Sequence, residues 1–319
     1  MHQNAILKPM TVVIAGSTGL VGSALVKAFE NTGQQVIGIS RKVLDLTDSK
    51  ATSEFISRNK PEIIVDAAAL VGGIAANDSH PVEFLTQNLL IQNNLMAAAH
   101  VANVPKFVFL GSSCIYPKDS PQPIKEEYLL TGPLEETNSA YAIAKIAGIE
   151  MLNSYRKEFG ANWISIMPTN LYGPSDNFNL ETSHVLPALL RKFLEAKEFG
   201  SEFVEVWGTG APRREFLHVD DLASAILLAV ESYDSSLHLN VGTGIDISIN
   251  DLAVKIAGIV GFRGEIKWDT SRPDGTSQKV LDISRISSLG WKPRITLDEG
   301  ISSTLNWLQG AMAIGGVRL

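Results

Sequence analysis

The chain has 319 residues, 45% of them hydrophobic and 19% charged, long enough for one large α/β unit with a lobe or for two domains sharing a cleft. A formal net charge of -7 excludes the basic surface of a nucleic-acid binder, so any anionic ligand must be held by local arginines, lysines and helix N-termini. The single cysteine, Cys114, excludes an internal disulfide and a cysteine-based metal cluster, and points to a reducing cytoplasm.

Residues 1–9 carry no charged-then-apolar signal pattern and read as a tail. The β-branched run 11–15 then leads into GSTGLVG (16–22) and an amphipathic helix. Strand, glycine turn and helix form the context of a dinucleotide fingerprint. Gly16 permits the tight turn, Gly19 lets a pyrophosphate approach the backbone, and Gly22 lets helix and strand pack closely, while the helix N-terminus, from Leu20 and Val21 on, faces the anion. The next strand, 35–40, ends without an acid and is followed by Arg41 and Lys42. An acid there would bind the ribose of NAD, whereas an arginine accommodates the 2′-phosphate, so NADP is the expected cofactor.

A helix should start at Thr47 or Asp48, both good caps. The strand 62–66 runs out into alanines, whose small side chains let a flat cofactor lie against the backbone. The longest apolar run, 63–76, contains Asp66 and two glycines and falls short of the ~18 residues that a membrane span needs, so no membrane association is expected. A long helix, 81–103, follows, with Asn88 facing either the cofactor edge or water.

The strand 106–111 delivers Ser112, Ser113 and Cys114 to its carboxyl end, where an open parallel sheet places ligands. Next comes a helix capped within 137–139, on which Tyr141 and Lys145 stand one turn apart on one face. A neighbouring ammonium favours phenolate, so Lys145 is expected to lower the Tyr141 pKa from its usual ~10 and make it a usable proton donor. A strand at 163–167 exits into Pro168. The alternation from residue 11 to here predicts a Rossmann-type α/β fold with a doubly wound parallel sheet. Beyond Pro174 the rhythm changes, and the strand 238–241 is expected to return to the main sheet. The expected division is a nucleotide-binding domain over 8–175 and 216–246, and a smaller C-terminal α/β substrate lobe over 176–215 and 247–310.

The glycine fingerprint, the strand-end serine and the Tyr141/Lys145 pair together resemble the extended short-chain dehydrogenase/reductase family. Within it, LGSSCIYP (110–117), YAIAKIAG (141–148), MPTNLYGP (167–174), SHV (183–185) and REFLHVDD (214–221) resemble the GDP-L-fucose synthase branch, over residues 11 to 308. The resemblance implies 3,5-epimerisation of GDP-4-keto-6-deoxy-D-mannose followed by NADPH-dependent reduction at C4, in a homodimer formed through helices near 81–103 and 140–159. It places the reductive serine, tyrosine and lysine on Ser112, Tyr141 and Lys145, and the epimerisation base and acid on Cys114 and His184. Cofactor contacts would include Gly16, Gly19, Leu20, Val21, Gly22, Arg41, Lys145, Pro168 and His184. GDP contacts would fall on Asn170, Val185, Trp207, Arg214, Asp274 and Lys279, and no metal is implied.

The chemistry agrees. Inverting a carbon next to a ketone needs a base, an acid on the other face and stabilisation of the enolate oxygen, and a thiolate and an imidazole suit the first two tasks. Arginine and lysine suit a diphosphate, and Trp207 can stack on a base. The family often has an arginine in the glycine loop where Thr18 stands here, which leaves Arg41, with Lys42, to carry NADP preference. Two other readings are a nucleotide-sugar 4-epimerase or 4-reductase, which would not need Cys114 and His184, and a non-catalytic NADP-binding sensor, which would not need Tyr141. The presence of all five groups weighs against both.

Overall fold

The computed structural model describes residues 9–272 and 274–316; the tail read over 1–9 lies, except for Pro9, outside the described residues. Thr11–Ala15 (β1) leads through the glycine turn into Leu20–Asn31 (α1), followed by Gln35–Ile39 (β2), Ser49–Asn59 (α2) and Ile63–Asp66 (β3). Asp48 caps α2, its carboxylate accepting from the Ala51 amide at 2.9 Å. Ile74–Ser79 (α3) and Pro81–Val101 (α4) precede Lys106–Leu110 (β4), and Ser139–Phe159 (α5) precedes Asn162–Pro168 (β5). Then come Asn170–Tyr172 (β6), Val185–Glu198 (α6), Phe203–Trp207 (β7), Arg213–His218 (β8), Val219–Ser232 (α7) and Leu239–Val241 (β9). The chain continues through Asp246–Ser248 (β10), Ile249–Val260 (α8), Glu265–Asp269 (β11), Gln278–Lys279 (β12), Ser284–Ser288 (α9) and Leu297–Ala313 (α10).

Six strands form a parallel sheet in the order β2-β1-β3-β4-β5-β9, so the chain reverses direction across the sheet between β1 and β3. That switch point, at the carboxyl ends of the strands, is where such sheets hold a ligand. Both faces are covered. Val12, Ile14, Val65 and Ile164 pack against Leu25 and Phe29 of α1 and Leu222 and Ile226 of α7. On the other face Val13, Ile64, Phe107 and Phe109 pack against Leu95 of α4 and Ile149 and Leu152 of α5. Burial on two sides is why these strands read as unbroken apolar runs. Gly148 lets α5 approach closely, since a Cβ there would stand 2.3 Å from the Phe109 ring. The close approach brings the first turns of α5 over the end of β4.

The second assembly is centred on β8, which pairs with β10 antiparallel and with β6 and β12 in parallel, while β7 and β11 form a parallel pair. A third apolar cluster joins α6, α8 and α10 through Leu190, Phe193, Ile256 and Leu305, with Val204 and Val206 of β7. Glu215, fully buried in β8, accepts from the amides of Thr243, Gly244 and Leu281, tying the strand to the β9–β10 turn and to the segment after β12. Three amide donors offset the cost of burying a carboxylate. Among the described residues no helix is long and apolar enough to cross a membrane.

Candidate active site

Two glycines of the fingerprint are fixed by the chain's own packing. Gly16 has φ 78°, and a Cβ on it would stand 2.6 Å from the Ala67 carbonyl oxygen; one on Gly22 would stand 2.0 Å from that of Gly16. Gly19 differs, because its nearest protein atom would be 3.4 Å from a Cβ, an ordinary contact. Its bareness leaves room for a ligand. The first helical bond of α1 runs from Ser23 N to Gly19 O, and no side chain caps the helix, so the amides of Leu20, Val21 and Gly22 are available to an anion. These residues fit a dinucleotide pyrophosphate. Arg41 and Lys42 are exposed in the turn after β2, closed by the Val43 and Leu44 amides on Ser40 O, and Arg41 faces Asp45. Pro168 ends β5 beside Val241, at the same edge of the sheet.

Where β4 ends, Gly111 leads to Ser112, whose hydroxyl accepts from the Cys114 amide at 3.2 Å and caps the short turn Ser113–Ile115. Ser113 is buried, so it is the first serine of the pair that hydrogen-bonds the Tyr141 phenol. Lys145, also buried, donates from Nζ to Leu110 O at 2.8 Å and lies 4.9 Å over the Phe109 ring and 5.9 Å from the Tyr141 ring. The expected lowering of the Tyr141 pKa is not found. Burial raises it, Cys114 and Asp66 push it the same way, and the Ser112 bond offsets this only in part. The lysine is engaged with the Leu110 carbonyl, and burial lowers its own pKa. Tyr141 therefore stays a phenol at neutral pH, the form that can give up a proton.

Cys114 lies beside this group, partly buried, and accepts a hydrogen bond from Asn138 Nδ2 at 3.6 Å. Asn138 was expected within a capping stretch. It occupies the N-cap position of α5, but its side chain makes no capping bond and turns to the sulfur instead. Arg214, whose pKa burial lowers, faces Cys114, Asp274 and Glu135. His184 occupies the N-cap position of α6; the residue lies at the surface, and the protein crowded around its imidazole pushes its pKa below the ordinary value. Its loop meets the loop after β3, where the Gly73 amide donates to Thr182 O at 3.1 Å. Asn88 does not face water: it is buried, accepts from the Leu70 amide at 2.9 Å and donates to Leu70 O and Phe84 O, pinning the loop that follows β3 to α4.

On the small lobe Arg214 and Lys279 are register partners on adjacent parallel strands, which places two cations side by side. Trp207, 54% exposed, has Arg272 at 5.0 Å and Lys192 at 5.7 Å from its ring. Asp274 is held below the usual carboxylate range by the Thr209 hydroxyl and amide, its oxygens accepting at 2.6 and 2.9 Å. Asn170 donates to Glu215 O at 2.9 Å, and Val185 opens α6. Ser112, Tyr141, Cys114, Arg214 and Asp274 thus form a connected series, with Lys145 behind Tyr141. Arg41 stands apart at the end of β2.

Sequence reasoning passed over Asp66, which is buried at the end of β3 on the sheet face that α5 covers, within electrostatic reach of Lys145. The available signal was an acid closing an otherwise apolar strand. Asn138 carried none beyond its helix-start position.

Residues 12–242 match the model of the NAD dependent epimerase/dehydratase family. GDP-L-fucose synthase 1 of Arabidopsis thaliana is 50% identical over 301 residues, covering 94% of this chain and 93% of its own length. A GDP-mannoheptose C4 reductase from Campylobacter jejuni with NADP bound is 39% identical, with TM-score 0.87 over 94% of this chain and 98% of that one. A GDP-L-fucose synthetase from Naegleria fowleri bound to NADP has TM-score 0.90 at 27% identity, over 98% of each chain.

Proposed function

The chain belongs to the NAD dependent epimerase/dehydratase family, and from that premise we infer that it carries GDP-L-fucose synthase activity, inverting C3 and C5 of GDP-4-keto-6-deoxy-D-mannose and reducing C4 with NADPH. The observation that carries this reading is a thiol, Cys114, in the same crevice as the Ser112/Tyr141 pair, coupled to Tyr141 and faced by Arg214. A plain reductase has no use for such a group.

Arg214 and Lys279 take the diphosphate, Trp207 offers its exposed face to the guanine, and Asn170, Val185 and Asp274 line the nucleotide's path. Cys114 removes the proton next to the ketone while Ser112 and Tyr141 hold the oxygen on which charge develops. His184 returns a proton on the opposite face. Gly16, Gly19, Leu20, Val21, Gly22, Arg41, Lys145, Pro168 and His184 would hold NADPH, which would supply the hydride for C4. Tyr141 then gives its proton to the C4 oxygen, with Ser112 keeping the phenol aligned.

The separate third apolar cluster supports dividing the chain into a nucleotide-binding domain, 8–175 with 216–246, and a substrate lobe, 176–215 with 247–310; residue 8 lies outside the described residues. Exposed apolar residues on α4 and α5, among them Leu90, Ile143 and Phe159, support a homodimer through those helices, and the lone cysteine supports a reducing cytoplasm. A monomer in sedimentation velocity would remove that part of the reading.

The function is tested by incubation with GDP-4-keto-6-deoxy-D-mannose in deuterated water. Deuterium should enter C3 and C5 without NADPH, and adding NADPH should yield GDP-L-fucose. Reduction without any solvent exchange would leave a C4 reductase like the Campylobacter protein.

A further inference from the structure

Asp66 ends β3 in register with Ala15 of β1 and Phe109 of β4. Like Ile64 and Phe109 it points to the sheet face covered by α4 and α5, where its neighbours are apolar. A carboxylate there is costly, and this one is poorly compensated: it is 1% exposed, Oδ1 accepts from the Ala68 amide at 3.2 Å, and Oδ2 has no hydrogen-bond partner. A core position with no other task would carry an apolar residue. From β1 and β4 the flanking partners, Ala15 and Phe109, bring no charge, whereas α5 presents Lys145 and Tyr141. Lys145 is buried as well, and among the described residues Asp66 is the carboxylate that favours its charged form, beside the hydrogen bond to Leu110 O.

We propose that Asp66 is a positioning residue of the reductive step: as a carboxylate it holds the Lys145 ammonium charged beside Tyr141, and so sets the alkaline limit of reduction. The inference rests on the reductive roles given to Tyr141 and Lys145. Burial pushes Asp66 up to about 6, with Lys145 pulling the other way. Above that value Asp66 is ionised and Lys145 keeps its counter-charge, so the support is in place over the alkaline range in which Lys145 would otherwise lose its proton. Removing the negative charge lowers the pKa of Lys145 and of Tyr141 alike, since Asp66 raises both.

The test is the pH profile of NADPH oxidation with GDP-4-keto-6-deoxy-D-mannose for wild type, Asp66→Asn and Asp66→Ala, using hydride-deuterated NADPH to confirm that hydride transfer limits the rate. In both variants the alkaline limb should move to lower pH than in wild type by about one unit, roughly a tenfold lower rate on that limb. Profiles that superimpose on wild type, whatever the absolute rate, would overturn the proposal. Tyr141→Phe and Lys145→Met serve as controls. If they retain reduction, the reductive assignment itself fails; if they abolish it while the Asp66 profiles are unchanged, only the role of Asp66 falls.

Discussion

Ser112, Tyr141 and Lys145 are held by the six-stranded sheet and the helix lying on it, through contacts internal to one packed body. Cys114 and His184 are held differently. The thiol sits on a short turn above the sheet, steadied by Asn138, while the imidazole rides on the first turn of α6, whose buried face belongs to the other apolar cluster. Hydride transfer to one carbon needs one fixed geometry, and rigid packing supplies it. Proton transfer on two faces of the sugar needs groups from both sides of the crevice. The reductive group should therefore tolerate disturbance of the small lobe, and the proton-transfer pair should not.

The largest effect should come from Tyr141→Phe. Losing the proton donor should cut reduction by roughly 10²–10⁴-fold while deuterium exchange at C3 and C5 persists. Loss of exchange in the same variant would mean that one group serves both steps. Cys114→Ser should do the converse. Its hydroxyl is a far weaker acid than a thiol, so exchange should fall by roughly 10²-fold or more while hydride transfer survives, giving a GDP-6-deoxy sugar of the starting configuration. Exchange that persists would move the base elsewhere.

A smaller effect is expected at the far end of the sheet. Arg41→Ala should weaken NADPH more than NADH, by roughly tenfold for one charge-assisted contact. Equal losses would show that Arg41 acts through structure alone. The smallest change sharpens the contrast between the two regions. Asn88→Ala leaves the Leu70 amide without its acceptor and frees the loop that touches Thr182, which should cost about 1–3 kcal/mol in thermal unfolding. Exchange should then fall more than reduction, because that loop braces the His184 side of the crevice. Equal declines would argue against two separately supported functions.

Much of this molecule was legible because its signals are local. The glycine turn, the apolar strands and the Asp48 cap follow from turn chemistry and side-chain period within a few residues, and β1, α1 and the helix start at Asp48 lie where those rules put them. Ser112, Cys114, Tyr141 and Lys145 were likewise readable as candidates, since a strand end and one helix turn deliver them. Their state was not. A helix spacing predicted that Lys145 would acidify Tyr141, but the sign of a pKa shift depends on burial and on which partner takes the ammonium, and packing against Phe109 and the Leu110 carbonyl decided both. Asn88, expected at the cofactor edge or in water, is buried because the loop after β3 folds back on α4. The pairing of Arg214 with Lys279 comes from strand register across 65 residues of sequence. Asp66 meets Lys145 only because β3, β4 and α5 share a face. Sequence determined which residues reach the crevice; the tertiary structure alone set their charge and company, because desolvation and proximity are properties of the packed whole.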